Sequence, residues 1–266
     1  MSNKGDAMEA GGRLLPMMAA VERSYGLAWQ RAAALKMPLI ALAALFAIDF
    51  LLRPAVRPGH MPSGGGVALY FLISIAFGIA TTGFIVGTHR MVLKSEHRGG
   101  LGYFRFDGAT WKYFGYTIVF GITVAIAFAI VGAVAAAISV AGAILLAPLA
   151  IAAIFIALRL WIFLPAVAIG GPGSLASAWA ATRGNTLRLF TGALLVGLPA
   201  EIASVILNAI FVKSGFIGKL IGAILVGPIE AALVLLLTIF ISLAYDCLVR
   251  GGGPGVDAAA SAAPQA

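Results

Sequence analysis

Two glutamates near the C-terminal end of the chain stand in stretches that are otherwise apolar. Glu201 follows Pro199 after one residue, and Glu230 follows Pro228 in the same way. A charged side chain near the centre of a bilayer costs roughly 2.5–3.5 kcal/mol on insertion scales, so ionisable residues in such stretches are candidates for functional sites. These two residues are therefore the first candidates for chemistry in this chain.

The depth of the two glutamates can be compared by counting along a helical hairpin. Glu201 lies 12 residues before Lys213, and Glu230 lies 11 residues after Lys219. At a rise of 1.5 Å per residue, both carboxyls lie roughly 15 Å from the same membrane surface. Two carboxylates that face each other in a low dielectric cannot both be ionised cheaply, so such a pair would hold a proton or recruit a cation.

Two interpretations of these glutamates are open. In the first, Glu201 and Glu230 form an intramembrane polar site with Ser204 and Asn208, which share a helical face with Glu201. Arg159 then either reaches inward as an ion-pair partner or extends to the interface. In the second, each glutamate is protonated and donates to a backbone carbonyl freed by its proline. The first predicts a small transporter or proton-coupled carrier, and the second a structural network.

The composition indicates the environment of these residues. Hydrophobic residues make up 61% of the 266 positions and charged residues 11%, compared with roughly 45–50% and 25% in soluble domains. A run of 46 residues between Lys112 and Arg159 contains no charge, which is enough for two spans of about 20 residues each. The sequence therefore predicts an all-α polytopic membrane protein.

We expect six transmembrane helices arranged as three hairpins. The spans are predicted at residues 33–52, 67–88, 113–136, 141–158, 191–212 and 221–245. Residues 1–32 are predicted to form an N-terminal segment with an amphipathic helix that lies in the interface. A second interfacial helix is predicted to begin at Ser174, a residue suited to the N-cap. The six-span domain covers 33–250, and 251–266 are predicted to be a disordered tail.

The distribution of basic residues predicts the orientation. With six spans, 14 of the 18 lysines and arginines lie on the side of the N-terminus. Because short cytoplasmic loops are enriched in these residues, both termini are predicted to be cytoplasmic, in a multi-pass protein of the bacterial inner membrane. The predicted interfacial anchors are Trp29, Trp111, Trp179, Arg183 and Arg188.

The loop between the second and third predicted spans is the most basic part of the chain. Arg90, Lys94 and Arg98 are predicted to contact anionic lipid headgroups. These residues favour a protein that organises or binds lipids or partner proteins through a basic cytoplasmic face. In a membrane protein of this kind we expect no nucleic-acid partner.

Sequence motifs for catalysis are not found. The three histidines have no metal-ligand spacing, and the chain contains no Gly-x-Ser-x-Gly, His-Glu-x-x-His or phosphate-binding loop. We therefore expect no catalytic residues, no metal and no cofactor, and a protein that is not an enzyme. The histidines are expected to lie outside the spans.

A short motif resembles a known family. After Pro165-Ala-Val-Ala-Ile, the chain reads Ser177-Ala-Trp-Ala-Ala-Thr-Arg-Gly-Asn185 and then Leu187-Arg-Leu-Phe190 before an apolar span. This is similar to the bacterial membrane-domain family that is attached to glycerophosphodiester phosphodiesterases and also occurs as stand-alone six-helix inner-membrane proteins. The resemblance implies a six-helix fold in the inner membrane and implies little chemistry.

Overall fold

The computed structural model describes residues 14–52, 64–96, 98–138, 140–171 and 174–252. All regular structure in these ranges is helical. The α-helices are α1 (Met17–Arg31), α2 (Lys36–Leu52), α3 (Gly64–Lys94), α4 (Gly108–Ile138), α5 (Val140–Trp161), α6 (Leu164–Ile169), α7 (Leu175–Ala181), α8 (Thr186–Phe211) and α9 (Phe216–Tyr245). A short 3-10 helix, Gly100–Tyr103, precedes α4, and a π-helical turn, Asp246–Arg250, follows α9.

Five helical segments are long and apolar enough to cross a membrane. They are Ala68–Lys94, Gly108–Val134, Ile151–Ile169, Thr186–Phe211 and Phe216–Arg250. Helix α2 has only 17 residues, and it becomes a sixth candidate only together with α1, from which it is bent by 105°. The all-helical class is confirmed, and several helices are suited to a multi-pass arrangement. Residues 1–13 of the N-terminal segment and the predicted tail from 253 onward lie outside the described residues.

Most of the helices extend further than the apolar spans that the sequence predicted, but α2 begins at Lys36 instead of residue 33. Helix α3 continues past residue 88 to Lys94, and α8 starts at Thr186 instead of 191. Hydrophobicity marks the part of a helix that suits hydrocarbon, whereas the helix itself continues until the backbone conformation changes. For α3 this change is at Ser95, whose φ is 53°. One consequence is that His89, expected in a loop, is a helical residue.

Helix α9 is at the centre of the bundle and packs against α1, α2, α3 and α8. Ile239, Phe240 and Ala244 are completely buried. No charged residue lies between Glu230 and Asp246, and a helix that is apolar on every side is suited to burial on every side. The second half of α9 thus serves as the core for the surrounding helices.

Helices α2 and α9 approach each other very closely at Gly227. A Cβ atom at this position would lie 2.4 Å from the carbonyl oxygen of Ala43 and 3.2 Å from the Cβ of Ala47. Small residues allow helix backbones to come together in this way in membrane proteins. Gly227 therefore sets the distance between the two helices.

Helix α1 packs against other helices on one side and is exposed on the other. Ala20, Val21 and Ser24 are buried against α8 and α9, whereas Trp29 is 84% exposed. The amphipathic pattern thus has a buried stripe that faces other helices. The start of α1 is also fixed, because the Leu15 N–H donates to Asn185 Oδ1 at 2.8 Å.

The segment between α3 and α4 folds back along α3. The Arg105 N–H donates to the Gly83 carbonyl at 3.1 Å, and the Tyr103 hydroxyl donates to Thr88 Oγ1 at 2.9 Å. A Cβ at Gly87 would lie 2.4 Å from the Tyr103 carbonyl oxygen. The most basic loop of the sequence is therefore packed against the bundle through much of its length.

Candidate functional site

The two glutamates have different surroundings. Glu230 is half-buried on α9 and accepts a hydrogen bond from the hydroxyl of Ser204 on α8. Asn208 Nδ2 donates to the Ser204 carbonyl at 2.8 Å. Glu201 is exposed, and among the described residues its carboxylate has no hydrogen-bond or ion-pair partner. The structure brings together Glu230, Ser204 and Asn208, whereas the proton-sharing pair of Glu201 with Glu230 stays a prediction.

The carbonyls next to Pro199 have a donor that the sequence did not indicate. Pro199 lacks an N–H, so the Leu195 carbonyl has no α-helical partner. The Tyr25 hydroxyl lies 3.0 Å from the Val196 carbonyl oxygen and 3.4 Å from that of Leu195. Among the described residues Glu201 makes no hydrogen bond to either carbonyl, and the interpretation in which it donates to the freed carbonyl stays a prediction.

Arg159 joins α5 to α7. Its guanidinium carbon lies 3.5 Å from the ring centroid of Trp179, and its Nε donates to Thr182 Oγ1 at 2.9 Å. A second guanidinium nitrogen donates to the Trp179 carbonyl. The described partners of Arg159, Trp179 and Thr182, thus lie near the C-terminal end of α5, and they include neither Glu201 nor Glu230.

The predicted anchors are found at or near the surface. Trp29, Trp111 and Trp179 are 84%, 53% and 42% exposed. Arg183 and Arg188 are exposed as well, but Arg188 also donates to the Leu15 carbonyl at 3.1 Å. Helix α7, which holds Trp179, is capped by Ser174 as expected, because the Ser174 hydroxyl oxygen accepts from the Ser177 N–H at 3.0 Å.

The three predicted lipid-contact residues do not share one environment. The Arg90 side chain is only 14% exposed and forms an ion pair with Asp107 at 2.7 Å. Its Nε donates to the Ala168 carbonyl at 2.8 Å. Lys94 and Arg98 are exposed. Arg90 therefore connects α3 to the start of α4 and to α6. The exposed basic side chains, Lys94 and Arg98, lie further along the chain.

Asp107 receives several hydrogen bonds that favour its ionised form. Partial burial raises its pKa, but hydrogen bonds from the Thr110 N–H and from Arg90, the positive charge of Arg90 and the Ala109 N–H outweigh this effect. The net result is a lowered pKa. The carboxylate therefore stays charged over the whole physiological range and holds the loop against Arg90.

A small cleft brings Arg98 together with Arg31. The cleft has a volume of about 120 Å³ and is lined by Arg31 at the end of α1, Arg98, Tyr103 and apolar side chains that include Leu35 and Met91. Neither arginine has a carboxylate partner among the described residues. Burial raises the pKa of Tyr103 to about 12, although its hydrogen bond with Thr88 opposes this, so the phenol stays neutral near the two arginines.

His89 is the centre of a buried network that the sequence did not predict. Ser242 donates its hydroxyl proton to the Thr238 carbonyl at 2.7 Å, so Ser242 Oγ accepts from His89 Nδ1 at 2.7 Å. His89 Nε2 then accepts from the Tyr113 hydroxyl at 3.2 Å. This assignment fits one neutral tautomer. Thr238 and Ser242, four residues apart in an otherwise apolar segment, were a signal in the sequence for one side of this network, whereas His89 was expected in a loop.

The fold and these sites define the class of the protein: the regular structure of the described residues is all helical, and several of the helices are apolar enough to be membrane spans. Comparison with known proteins found no relative of this chain: it matches no family model, no curated protein and no solved structure. The resemblance to the membrane-domain family stays a prediction, as does any function taken from it.

Proposed function

We propose that this protein is a non-enzymatic, multi-pass protein of the bacterial inner membrane that binds anionic lipids at a basic cytoplasmic face. In this proposal the chain has six spans and cytoplasmic termini, and partner proteins assemble on the same face. The observation that carries the proposal is the cleft of Arg31 and Arg98. Two arginines that are far apart in sequence line it without a carboxylate among the described residues.

The chemistry of the cleft suits a lipid phosphate. Guanidinium groups present several N–H donors in a fixed arrangement that matches phosphate oxygens. Leu35 and Met91 supply apolar wall beside the arginines, where the first carbons of a lipid can pack. Basic pockets at the cytoplasmic ends of helices are known to bind anionic headgroups. The exposed Lys94 adds positive charge nearby in sequence.

Native mass spectrometry of the purified protein with added phosphatidylglycerol tests this proposal. Changing Arg31→Gln and Arg98→Gln is expected to weaken lipid binding by about fivefold for each arginine, because one basic residue near the surface contributes about 1 kcal/mol. Phosphatidylcholine, which has no net charge, is expected to bind equally to the wild-type protein and to the double variant.

The matched control is the pair Lys112→Gln and Arg183→Gln. It removes the same charge from exposed positions that do not line the cleft. Binding of phosphatidylglycerol is expected to fall much less in this control. An equal loss in the two double variants would show that only overall charge attracts the lipid, and would overturn the cleft as the site.

A further inference from the structure

A cavity lies beside the His89 network, between α3, α4 and α9. It has a volume of about 220 Å³, and its polar lining residues include Thr82, His89, Tyr113 and Thr238. The rest of its wall consists largely of Ile, Leu and Val side chains from α3, α6 and α9. A mostly apolar cavity with a few convergent polar groups is the usual form of a small-molecule site.

A second, apolar groove continues from this cavity between α4 and α5. It has a volume of about 350 Å³, and Phe120, Val124 and Ile154 contribute to its walls. Thr117 and Trp161 line both spaces, so the two are adjacent. Ile154 and Trp161 are 39% and 42% exposed, which places the opening of the groove on the side of the bundle.

Several side-chain oxygens in the cavity can still accept a hydrogen bond, whereas few of its N–H and O–H groups are still able to donate one to a ligand. Thr82, Thr117 and Thr238 each donate their only hydroxyl proton to the carbonyl four residues earlier, at 2.7, 3.0 and 2.6 Å. Tyr113 donates its proton to His89. Each of these oxygens keeps lone pairs that can accept. The Trp161 indole N–H is the remaining donor among the described polar side chains that line the cavity.

The polar and apolar parts lie at different depths. Tyr113 and Trp161 stand at the two ends of the uncharged run, next to Lys112 and just after Arg159. Val124 lies 11 residues further along α4 than Tyr113, or roughly 16 Å at 1.5 Å per residue. Tyr113 and Trp161 are thus near the charged boundary of α4 and α5, and the groove extends from there among residues that suit hydrocarbon.

We propose that this combined space binds an uncharged amphiphile with a hydroxyl head and a long aliphatic chain. The hydroxyl donates to the Tyr113 or threonine oxygens and can accept from Trp161, while the chain lies in the groove along α4. A carboxylate or phosphate head has no proton to donate in its ionised form, and the described residues that line the two spaces include no lysine or arginine. The site is separate from the Arg31 and Arg98 cleft and does not depend on it.

Photolabelling in nanodiscs of phosphatidylcholine, a lipid without a hydroxyl group, tests this site. The probe is a long-chain primary alcohol with a diazirine in its chain. It is expected to label residues of α4 and α5 around 117–124 and 154–161. Unlabelled alcohol is expected to compete at a concentration about two- to thirteenfold lower than its methyl ether, since one hydrogen bond is worth about 0.5–1.5 kcal/mol. The carboxylic acid of equal length is expected to compete no better than the ether.

Two glycine variants on α4 make a matched pair for the groove. Gly121 lines it, and a Cβ atom added at Gly121 or at Gly115 would have no other side chain of the described residues within 4 Å. Both can therefore accept a leucine without a direct Cβ clash. Gly121→Leu is expected to abolish the labelling, and Gly115→Leu to retain it. Labelling that survives Gly121→Leu would overturn the site.

The variant Thr117→Val tests the recognition of the head. Thr117 lines both spaces and its hydroxyl donates to a carbonyl of its own helix, whereas Tyr113→Phe would free His89 Nε2 as a new acceptor. Thr117→Val therefore removes one acceptor and is expected to reduce the preference for the alcohol over the ether, while the labelled positions stay the same. If the ether or the acid competes as well as the alcohol against the wild-type protein, the proposed hydroxyl chemistry is wrong. If the Arg31→Gln and Arg98→Gln variant loses phosphatidylglycerol binding but keeps the photolabelling, that result supports the arginine cleft and leaves this site intact.

Discussion

At the scale of single residues, serine and threonine hydroxyls mostly donate within their own helix. Thr88, Thr182 and Thr238 each donate to the carbonyl four residues earlier. This pairing satisfies a hydroxyl without a partner helix, which is valuable where water is excluded. Ser204 is different, because it is buried on α8 and donates to Glu230 on α9. The hydrogen bond from Ser204 to the Glu230 carboxyl therefore connects α8 to α9.

Ser204→Ala is expected to lower the stability of the protein by about 1–2 kcal/mol, because it leaves the half-buried Glu230 oxygen without its donor. The control is Ser74→Ala, since Ser74 donates to the Tyr70 carbonyl of its own helix at 2.9 Å. Thermal unfolding in detergent compares the two variants. If both shift the midpoint equally, the contact between α8 and α9 contributes no specific stability.

At the scale of helices, close backbone approaches fix the arrangement around α9. Gly227 brings α9 against the backbone of Ala43 on α2. Further along α9, Ser242 connects to His89 of α3, and Tyr25 of α1 reaches the carbonyls before Pro199 on α8. Each contact joins helices that are distant in sequence. The bundle is thus held by specific contacts in addition to apolar packing.

Gly227→Ala is expected to destabilise the protein by about 1–3 kcal/mol, as overpacking of a filled interior does. The added methyl group would meet backbone, which cannot rotate away as a side chain can. Gly115→Ala on α4 is the control, because a Cβ atom added there would have no other side chain of the described residues within 4 Å. Chemical unfolding followed by circular dichroism is expected to show a loss only for Gly227→Ala, and equal midpoints would contradict the close approach as a determinant of stability.

At the scale of the whole molecule, the core and the exposed apolar surface are distributed unevenly. The second half of α9 is enclosed by other helices, whereas α4 contacts mainly α5 and exposes large side chains such as Ile122, Ile126 and Ile130. In water such a surface would drive aggregation, but in a bilayer it is the expected outer face. This uneven covering is also what leaves the groove between α4 and α5 open to the side.

The orientation of the whole protein is tested by cysteine labelling. The single native cysteine, Cys247, is buried, whereas Lys213 and Arg183 are exposed. In bacterial cells with a permeabilised outer membrane, an impermeant maleimide is expected to label Lys213→Cys. Arg183→Cys is expected to react only after the inner membrane is opened. The reverse pattern would place the basic face outside and contradict the proposed topology.

The sequence by itself determined the helical class, the approximate positions of the apolar segments and the N-cap at Ser174. These properties follow from local composition and short-range periodicity, which are visible in a single chain. The roles of individual polar residues were harder to predict. Arg90 looked like a free surface charge, but Asp107 and the Ala168 carbonyl engage it.

Only the tertiary structure decided which distant residues meet. His89, Tyr113 and Ser242 come from three helices, and no spacing in the sequence predicts their contact, because helix register and rotation depend on the packing of the whole bundle. The same packing gave Glu230 the partner Ser204 and left Glu201 on an exposed surface. Equal depth along two helices is a property of the chain, whereas the direction that each side chain faces is a property of the fold.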